Sequence, residues 1–373
     1  MVESWLLPEK LFDGQTLHNS AAACVRDGIV DHIANSADIP PNADIQRLNG
    51  TLMPGFFDIQ INGGGGVLFN AEPNREGLKK IGAAHRRFGT CFWLPTVITD
   101  TPEIMAEAVT AVIECIGDYG IVGIHIEGPH LSLPRRGTHN PAYIRPFDNQ
   151  SLAQLKRLRA ANIPVLLTLA PEAVQTGQVA ELVALGVIVS IGHSDANAAD
   201  AKAVLNEGAQ LFTHLFNAMS QMKGREPGVV GAAINSHAYT SIIADGLHVE
   251  PSMLALATRA RPIADRMILV TDAMATVGGA NSFELYGQTV HLDAGRLVNA
   301  EGALAGAHIT IPEEIKIMVE SGISLEMVLR MATSNPAKLM RLERHIGQLI
   351  GSALADLVLL SKNGFAKPLP AAS

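Results

Sequence analysis

From Leu52 to Thr271 the chain repeats one pattern: a short apolar or β-branched run, then a longer segment whose apolar positions recur at helical spacing. Eight such runs follow one another: Leu52–Ile61, Thr90–Val97, Val122–Glu127, Pro164–Leu169, Val187–Ile191, Gln210–His214, Thr240–Ala244 and Met267–Thr271. Between them lie segments such as REGLKKIGAAHRRFG, PEIMAEAVTAVIECIG and NAADAKAVLNEG, several closed by a glycine able to take the left-handed C-cap. Doubly wound sheets usually stop at five or six strands, so eight alternations predict an α/β fold of the (β/α)8 TIM-barrel type.

The flanks read differently. Residues 1–50 hold short strand-like pieces, KLFDG, AACVRDGIVDHI and ADIQRLNG, and ALADLVLLSK near the other end is one more buried-strand run. Chain termini often lie close together, so the two flanks are expected to build one small β-sandwich-like domain. That gives residues 1–50 and 346–373 to the small domain and 51–345 to the barrel. The tail GFAKPLPAAS has little β character, so the small domain is expected to lack a last strand.

A net charge of −8, with no Lys/Arg cluster, argues against a nucleic-acid partner. An anionic small molecule is still allowed, because one or two basic side chains suffice to hold it. Cys24, Cys91 and Cys115 are odd in number and lack CxxC spacing, which suggests neither a disulfide framework nor a thiolate metal site. The N-terminus lacks the order of a signal peptide, and no apolar stretch approaches the ~20 residues a bilayer needs. A cytoplasmic protein with no membrane partner is expected.

In a parallel barrel the strand ends gather at one mouth, whatever their separation in sequence. Glu127, His193, His214 and Asp272 each end an apolar run, in GIHIEG, VIVSIGH, QLFTH and MILVTD. One carboxylate and two imidazoles form a ligand set for a divalent ion with a position left for water, and Asp272 would be the base beside that water. His125, two residues before Glu127, reads as a packed strand histidine. After His193, SDAN opens a helix with Ser or Asp as its expected cap.

The first run ends on Gln60 and Asn62, which share one face of a strand. Amides are poor ligands for a transition metal, so one ion per subunit is expected rather than two, with Gln60 and Asn62 supporting the site in place of a second metal. Zinc heads the list for that ion, and iron, manganese or cobalt would also accept these ligands. Gly63–Gly66 lack the spacing of a phosphate loop. Beyond the strand ends, His139 could polarise a substrate carbonyl, Arg225 in GREPG could reach a doubly charged oxyanion, and His248 in IIADGLHV could touch substrate.

Taken together, HIEGPH, GTHNPAY, LAPE, SIGHS, THLFNAM, GREPG, IIADGLHV and LVTDAMA resemble the N-acetylglucosamine-6-phosphate deacetylases of the amidohydrolase superfamily. The likeness runs from about Leu52 to Ala337, and PGFFDIQING is similar to the branch in which a single metal remains. The resemblance implies that Glu127, His193 and His214 are metal ligands, that Asp272 is the catalytic acid/base and that His139 polarises the acetyl carbonyl. It further implies substrate contacts at Thr138, Asn217, Ala218, Arg225, His248, Leu304, Ala305 and Gly306, with Arg225 and His248 toward the phosphate. Ala305 stands where a hydroxyl residue is familiar. A phosphorylated amino sugar is the implied partner, a homodimer with its site near the subunit interface the implied assembly, and the galacto epimer an alternative substrate. A cyclic-amide hydrolase would usually carry His-x-His on the first strand, and a non-catalytic scaffold would have lost ligands. Gln60 and Asn62 weigh against the first, and the four strand-end residues against the second.

Overall fold

The computed structural model describes residues 3–299 and 302–371. Eight parallel strands pair in sequence order, here the first to eighth barrel strands: Phe56–Ile61, Thr90–Ile98, Ile124–Glu127, Val165–Leu169, Ile188–Ile191, Leu211–Phe212, Tyr239–Ile242 and Met267–Leu269. The eighth meets the first through a parallel bridge between Ile61 and Ala273, where the Asn62 and Gly63 N–H groups both donate to the Ala273 carbonyl. The barrel is therefore nearly closed, as the alternation predicts. Side chains at alternate positions divide between two cores. Phe57, Ile59, Leu94, Leu166, Ile188, Leu211 and Ile268 form the inner one, while Phe56, Trp93, Ile126, Leu167 and Val189 pack with the helices.

The helices begin where capping chemistry permits. Asn74, Thr101 and Asp148 accept hydrogen bonds from the first turns of Arg75–Arg86, Pro102–Cys115 and Asn149–Ala160. The helix Ala198–Asn206 is capped by Asn197, not by Ser194 or Asp195. Those two turn instead to Glu172, which accepts from Ser194 Oγ and the Asp195 N–H. No helix among the described residues is long and apolar enough to cross a membrane.

The first expected run divides at Gly55. Leu52–Pro54 ends the strand Ile45–Pro54 of a second sheet, and only Phe56–Ile61 enters the barrel. A Cβ at Gly55 would lie 2.4 Å from Cys91 Sγ and 2.9 Å from the Asp356 carbonyl, so only glycine lets the chain cross between the sheets. The second sheet draws on both termini, with strands Glu3–Phe12, Leu17–His18, Ala21–Arg26, Ile29–Asn35, Ile45–Pro54, Leu357–Leu360 and Ala366–Pro368.

The last of these corrects the expectation of a missing strand. Ala366–Pro368 pairs antiparallel with Leu357–Leu360 at the sheet edge. An edge position tolerates Pro368 and demands only a short ladder, which composition does not announce. A further antiparallel sheet, Ser282–Leu285, Gln288–Asp293, Arg296–Val298 and Leu304–Ala307, follows the eighth barrel strand and packs on Leu68, Ile98 and Met274. Its turns at Tyr286-Gly287 and Ala294-Gly295 have positive φ at both residues, the geometry that suits a two-residue hairpin.

Candidate active site

Glu127 is the last residue of its strand, and the other three strand-end residues lie two or three positions beyond theirs. His193, His214 and Asp272 have φ of 47°, 37° and 49°, a left-handed conformation uncommon outside glycine. Such backbone costs about 1–3 kcal/mol per residue and persists where surrounding structure enforces it, commonly at functional sites. Here it turns three polar side chains from different strands toward one point.

Around that point Glu127 Oε1 lies 3.1 Å from His214 Nε2 and 3.3 Å from His193 Nε2, and the two imidazole nitrogens are 3.0 Å apart. Ligand atoms bound tetrahedrally to zinc at about 2.0–2.1 Å sit about 3.4 Å from one another, so the spacing suits one ion. His193 Nδ1 donates to the Arg135 carbonyl at 2.9 Å, which leaves its Nε2 lone pair for the centre. Burial pushes the Glu127 carboxyl up, but His193 and His214 facing it outweigh that and hold the group well below its usual range. A preformed anion facing two imidazole nitrogens is a cluster able to hold a metal ion.

His139 stands at the same centre, with its Nε2 3.9 Å from Glu127 Oε2, and with Glu127 and His193 it forms a set whose ligand atoms lie within 4.8 Å. His214 Nε2 is closer to Glu127, at 3.1 Å, and lies 3.0 Å from His193 Nε2, so Glu127, His193 and His214 also make a tight set. The His139 ring is anchored through Nδ1, 2.8 Å from Thr99 Oγ1 and 3.4 Å from the Thr99 N–H. An amide N–H can only donate, so Nδ1 accepts and Nε2–H faces the cavity. Burial, reinforced by His193, lowers the His139 pKa to about 3 and keeps the ring a neutral donor.

On the opposite side Asn62 Nδ2 and Gln60 Nε2 donate to Asp272 Oδ1 at 2.6 and 3.1 Å, and Gln60 Nε2 also donates to Glu127 Oε1 at 3.1 Å. Burial first, and the Glu127 charge second, raise the Asp272 pKa to about 6. A carboxyl tuned there can both take and return a proton near neutrality. Beneath it, His125 is a packed strand histidine bonded to Thr168 Oγ1 at 2.8 Å.

These groups open into a cavity of about 160 Å³ that Thr138, Asn217, Ala218, His248, Leu304 and Gly306 also line. Four larger clefts, of about 340, 690, 450 and 260 Å³, lie elsewhere, and none gathers three metal-capable side chains among the described residues. Two expected contacts are absent from the cavity wall. Ala305 is fully buried against the hairpin core, because strand alternation gives the cavity Leu304 and Gly306 and turns Ala305 away. Arg225 is exposed: Glu226 accepts from the Ala198 and Gly228 N–H groups and pins the loop to the neighbouring helix, leaving Arg225 in solvent.

Thr99 and Tyr286 escape the sequence reading, whereas Asp245 shares the strand-end placement of the other polar tips in IIADGLHV. Thr99 holds His139, and Tyr286 Oη in turn donates to the Thr99 carbonyl. Asp245 takes His248 Nδ1 at 2.6 Å and the His248 and Leu247 N–H groups. Burial pushes the Asp245 carboxyl up, but these bonds, above all the one from His248, hold it below its ordinary value. The strand-end position of Asp245 and the Asp-x-x-His spacing of ADGLH both mark this pair in the sequence.

A metal-capable cluster at the C-terminal mouth of a (β/α)8 barrel, beside a small sheet built from both termini, defines a class of hydrolase. The sequence model of the Amidohydrolase family matches residues 51–372, and the chain belongs to that family. It is 39% identical over 359 residues to the N-acetylgalactosamine-6-phosphate deacetylase of Shewanella sp. (strain ANA-3), covering 94% of this chain and 90% of that one. It is 34% identical over 352 residues to the N-acetylglucosamine-6-phosphate deacetylase of Haemophilus influenzae, covering 92% and 91%. The crystal structure of N-acetylglucosamine-6-phosphate deacetylase from Pasteurella multocida superimposes with a TM-score of 0.91 at 34% identity, covering 98% and 97%.

Proposed function

We propose that this chain hydrolyses the N-acetyl group of N-acetylglucosamine 6-phosphate, releasing glucosamine 6-phosphate and acetate, as a cytoplasmic step of amino-sugar catabolism. The observation that carries the reading is the meeting, in one cavity, of the Glu127, His193 and His214 donor atoms with an amide-held Asp272 and a neutral His139 donor. Glu127, His193 and His214 hold one divalent ion, zinc first and iron, manganese or cobalt also compatible. When bound, the ion supplies positive charge that acidifies water and polarises a carbonyl. Asp272 takes a proton from the attacking water and delivers it to the departing nitrogen. His139 Nε2–H donates to the acetyl oxygen as charge develops there.

Gln60 and Asn62 stand where a second ion would need ligands and instead orient Asp272 through Oδ1. Thr138, Asn217, Ala218, Leu304 and Gly306 surround the sugar, and His248, fixed by Asp245, faces the phosphate. Arg225, left in solvent by its pinned loop, completes the phosphate contact in the site of a second copy. A homodimer is proposed with it, and the mass of the enzyme in solution by light scattering tests that assembly. Three free cysteines support a reducing compartment. Strands from both ends in one sheet support the expected small domain of residues 1–50 and 346–373 around a barrel of 51–345, with its first boundary moved to Gly55, since the strand Ile45–Pro54 belongs to the small sheet.

The 39% identity to the Shewanella enzyme favours a second reading, deacetylation of the galacto epimer. Acetate release from both 6-phosphates and from unphosphorylated N-acetylglucosamine decides. The gluco phosphate is expected to give the highest kcat/KM. A higher value for the galacto epimer replaces the first reading with the second, and equal turnover of the unphosphorylated sugar removes the phosphate role of His248 and Arg225.

A further inference from the structure

The small sheet carries another group of metal-capable side chains, remote in sequence from the barrel mouth. On the antiparallel pair Ala21–Arg26 and Ile29–Asn35, Cys24 lies directly opposite His32. Adjacent residues of a regular strand point to opposite faces, which would turn Asp31 away from His32. The register shifts here, with Cys24 paired to His32 and Val25 to Val30, so Asp31 is the extra residue of a β-bulge. A bulge re-aims its side chain, and Asp31 Oδ2 comes within 2.7 Å of His32 Nδ1.

The result is one thiol, one carboxylate and one imidazole whose ligand atoms all lie within 4.8 Å of one another. Trp5, register partner of Cys24 on its other side, packs edge-on to His32 with ring centroids 5.4 Å apart and holds the imidazole in place. Cys24 is buried, while the Asp31 and His32 side chains are 39% and 43% exposed, giving an ion a path to the sulfur. Mixed sulfur, nitrogen and oxygen donors suit zinc-class ions, with water completing a tetrahedron.

We propose that Cys24, Asp31 and His32 bind a second divalent transition-metal ion, distinct from the one in the barrel. On binding, the Cys24 thiol proton leaves to solvent and a metal–sulfur bond replaces it. The His32 proton resides on the ring nitrogen facing away from the ion. Arg26, which contacts Asp31 at 3.0 Å, has Glu3 at 3.1 Å to hold it when Asp31 turns to the ion.

Adding Co²⁺ to the metal-loaded enzyme and recording near-ultraviolet absorption tests the site independently of substrate. The barrel cluster has no sulfur, and Cys91 and Cys115 lie within the main hydrophobic core, so a thiolate-to-cobalt charge-transfer band reports Cys24. The band should saturate at one further ion per chain and vanish in both Cys24→Ala and Cys24→Ser, with acetate release unchanged in each. His32→Ala should weaken cobalt binding at least about tenfold, the lower end of what losing even an outer partner of a ligand costs. Absence of the band at millimolar cobalt, or its survival in either Cys24 variant, overturns the proposal.

Discussion

The two walls of the barrel mouth handle buried charge in opposite ways. On the wall formed by the third, fifth and sixth strands, Glu127, His193 and His214 bring together donor atoms able to hold a cation. On the wall formed by the first and eighth, neutral amides from Gln60 and Asn62 already satisfy Asp272 Oδ1. A second cation there would engage the carboxylate as a ligand, whereas amide donors leave its other oxygen available for proton transfer. On the proposed function, ion binding falls to one wall and proton movement to the other.

The largest effect should come from the ion-binding wall. His193→Ala is expected to lose its metal and to reduce acetate release to background, measured as metal content and turnover on one preparation. Made in the Cys24→Ala background, a variant that still held one ion per chain would remove His193 from the ligand set. Asp272→Asn should keep the ion while kcat falls about 10²–10⁴-fold, the usual worth of a positioned acid/base. Retention of more than a tenth of the activity, or loss of metal, would erase the distinction between the walls.

A smaller effect separates charge from shape. Asn62→Asp places a carboxylate where an amide now donates at 2.6 Å, and like charge should raise the acid limb of the kcat/KM profile by about one unit or more. In the unsubstituted enzyme that limb is expected at or below about pH 6, because a bound cation opposes both the burial and the Glu127 charge that raise Asp272. Activity is lost as pH falls through it. An unmoved limb in the variant would show that the amides act by geometry alone. In metal-free enzyme the sign for stability is the reverse of the usual carboxylate: Asp272 favours the folded state at low pH and withdraws that support between about pH 4 and 6.

The mildest change lies farthest from the ion. Asp245→Asn removes a charge that orients His248, and KM for the phosphorylated sugar should rise about tenfold, near the worth of one hydrogen bond, with kcat nearly unchanged. Equal losses on phosphorylated and unphosphorylated sugars would sink the link between this pair and the phosphate.

Much of this was legible because strand-end chemistry is local. An apolar run followed by Glu, His or Asp announces both the strand and its polar tip, and the two-residue spacing of Gln60 and Asn62 places both amides on one face. The backbone conformation of His193, His214 and Asp272 left no such trace, since nothing in their neighbours demands positive φ. The hairpin sheet was signalled by Tyr-Gly and Ala-Gly between short alternating runs, a weaker cue than Asn-Gly. Missing its strands meant missing the alternation that buries Ala305. Arg225 looked free in a glycine-rich loop, but Glu226 beside it spends both main-chain contacts on fixing the turn. Thr99 supports His139 from 40 residues away, and Tyr286 supports Thr99 from 187, a reach that only the closed fold supplies.

The bridge between Ile61 and Ala273 has a consequence for synthesis. Ile61 lies between Gln60 and Asn62, and Ala273 follows Asp272, so the contact that closes the barrel also brings the amides to their acid. Gln60 and Asp272 are 212 positions apart. At ~5–20 residues per second the ribosome needs on the order of 10–40 s to deliver the second after the first. A nascent chain interrupted anywhere in that interval has the first half of its proton machinery and nothing for it to hold, so the growing polypeptide cannot turn over substrate before its last barrel strand has emerged.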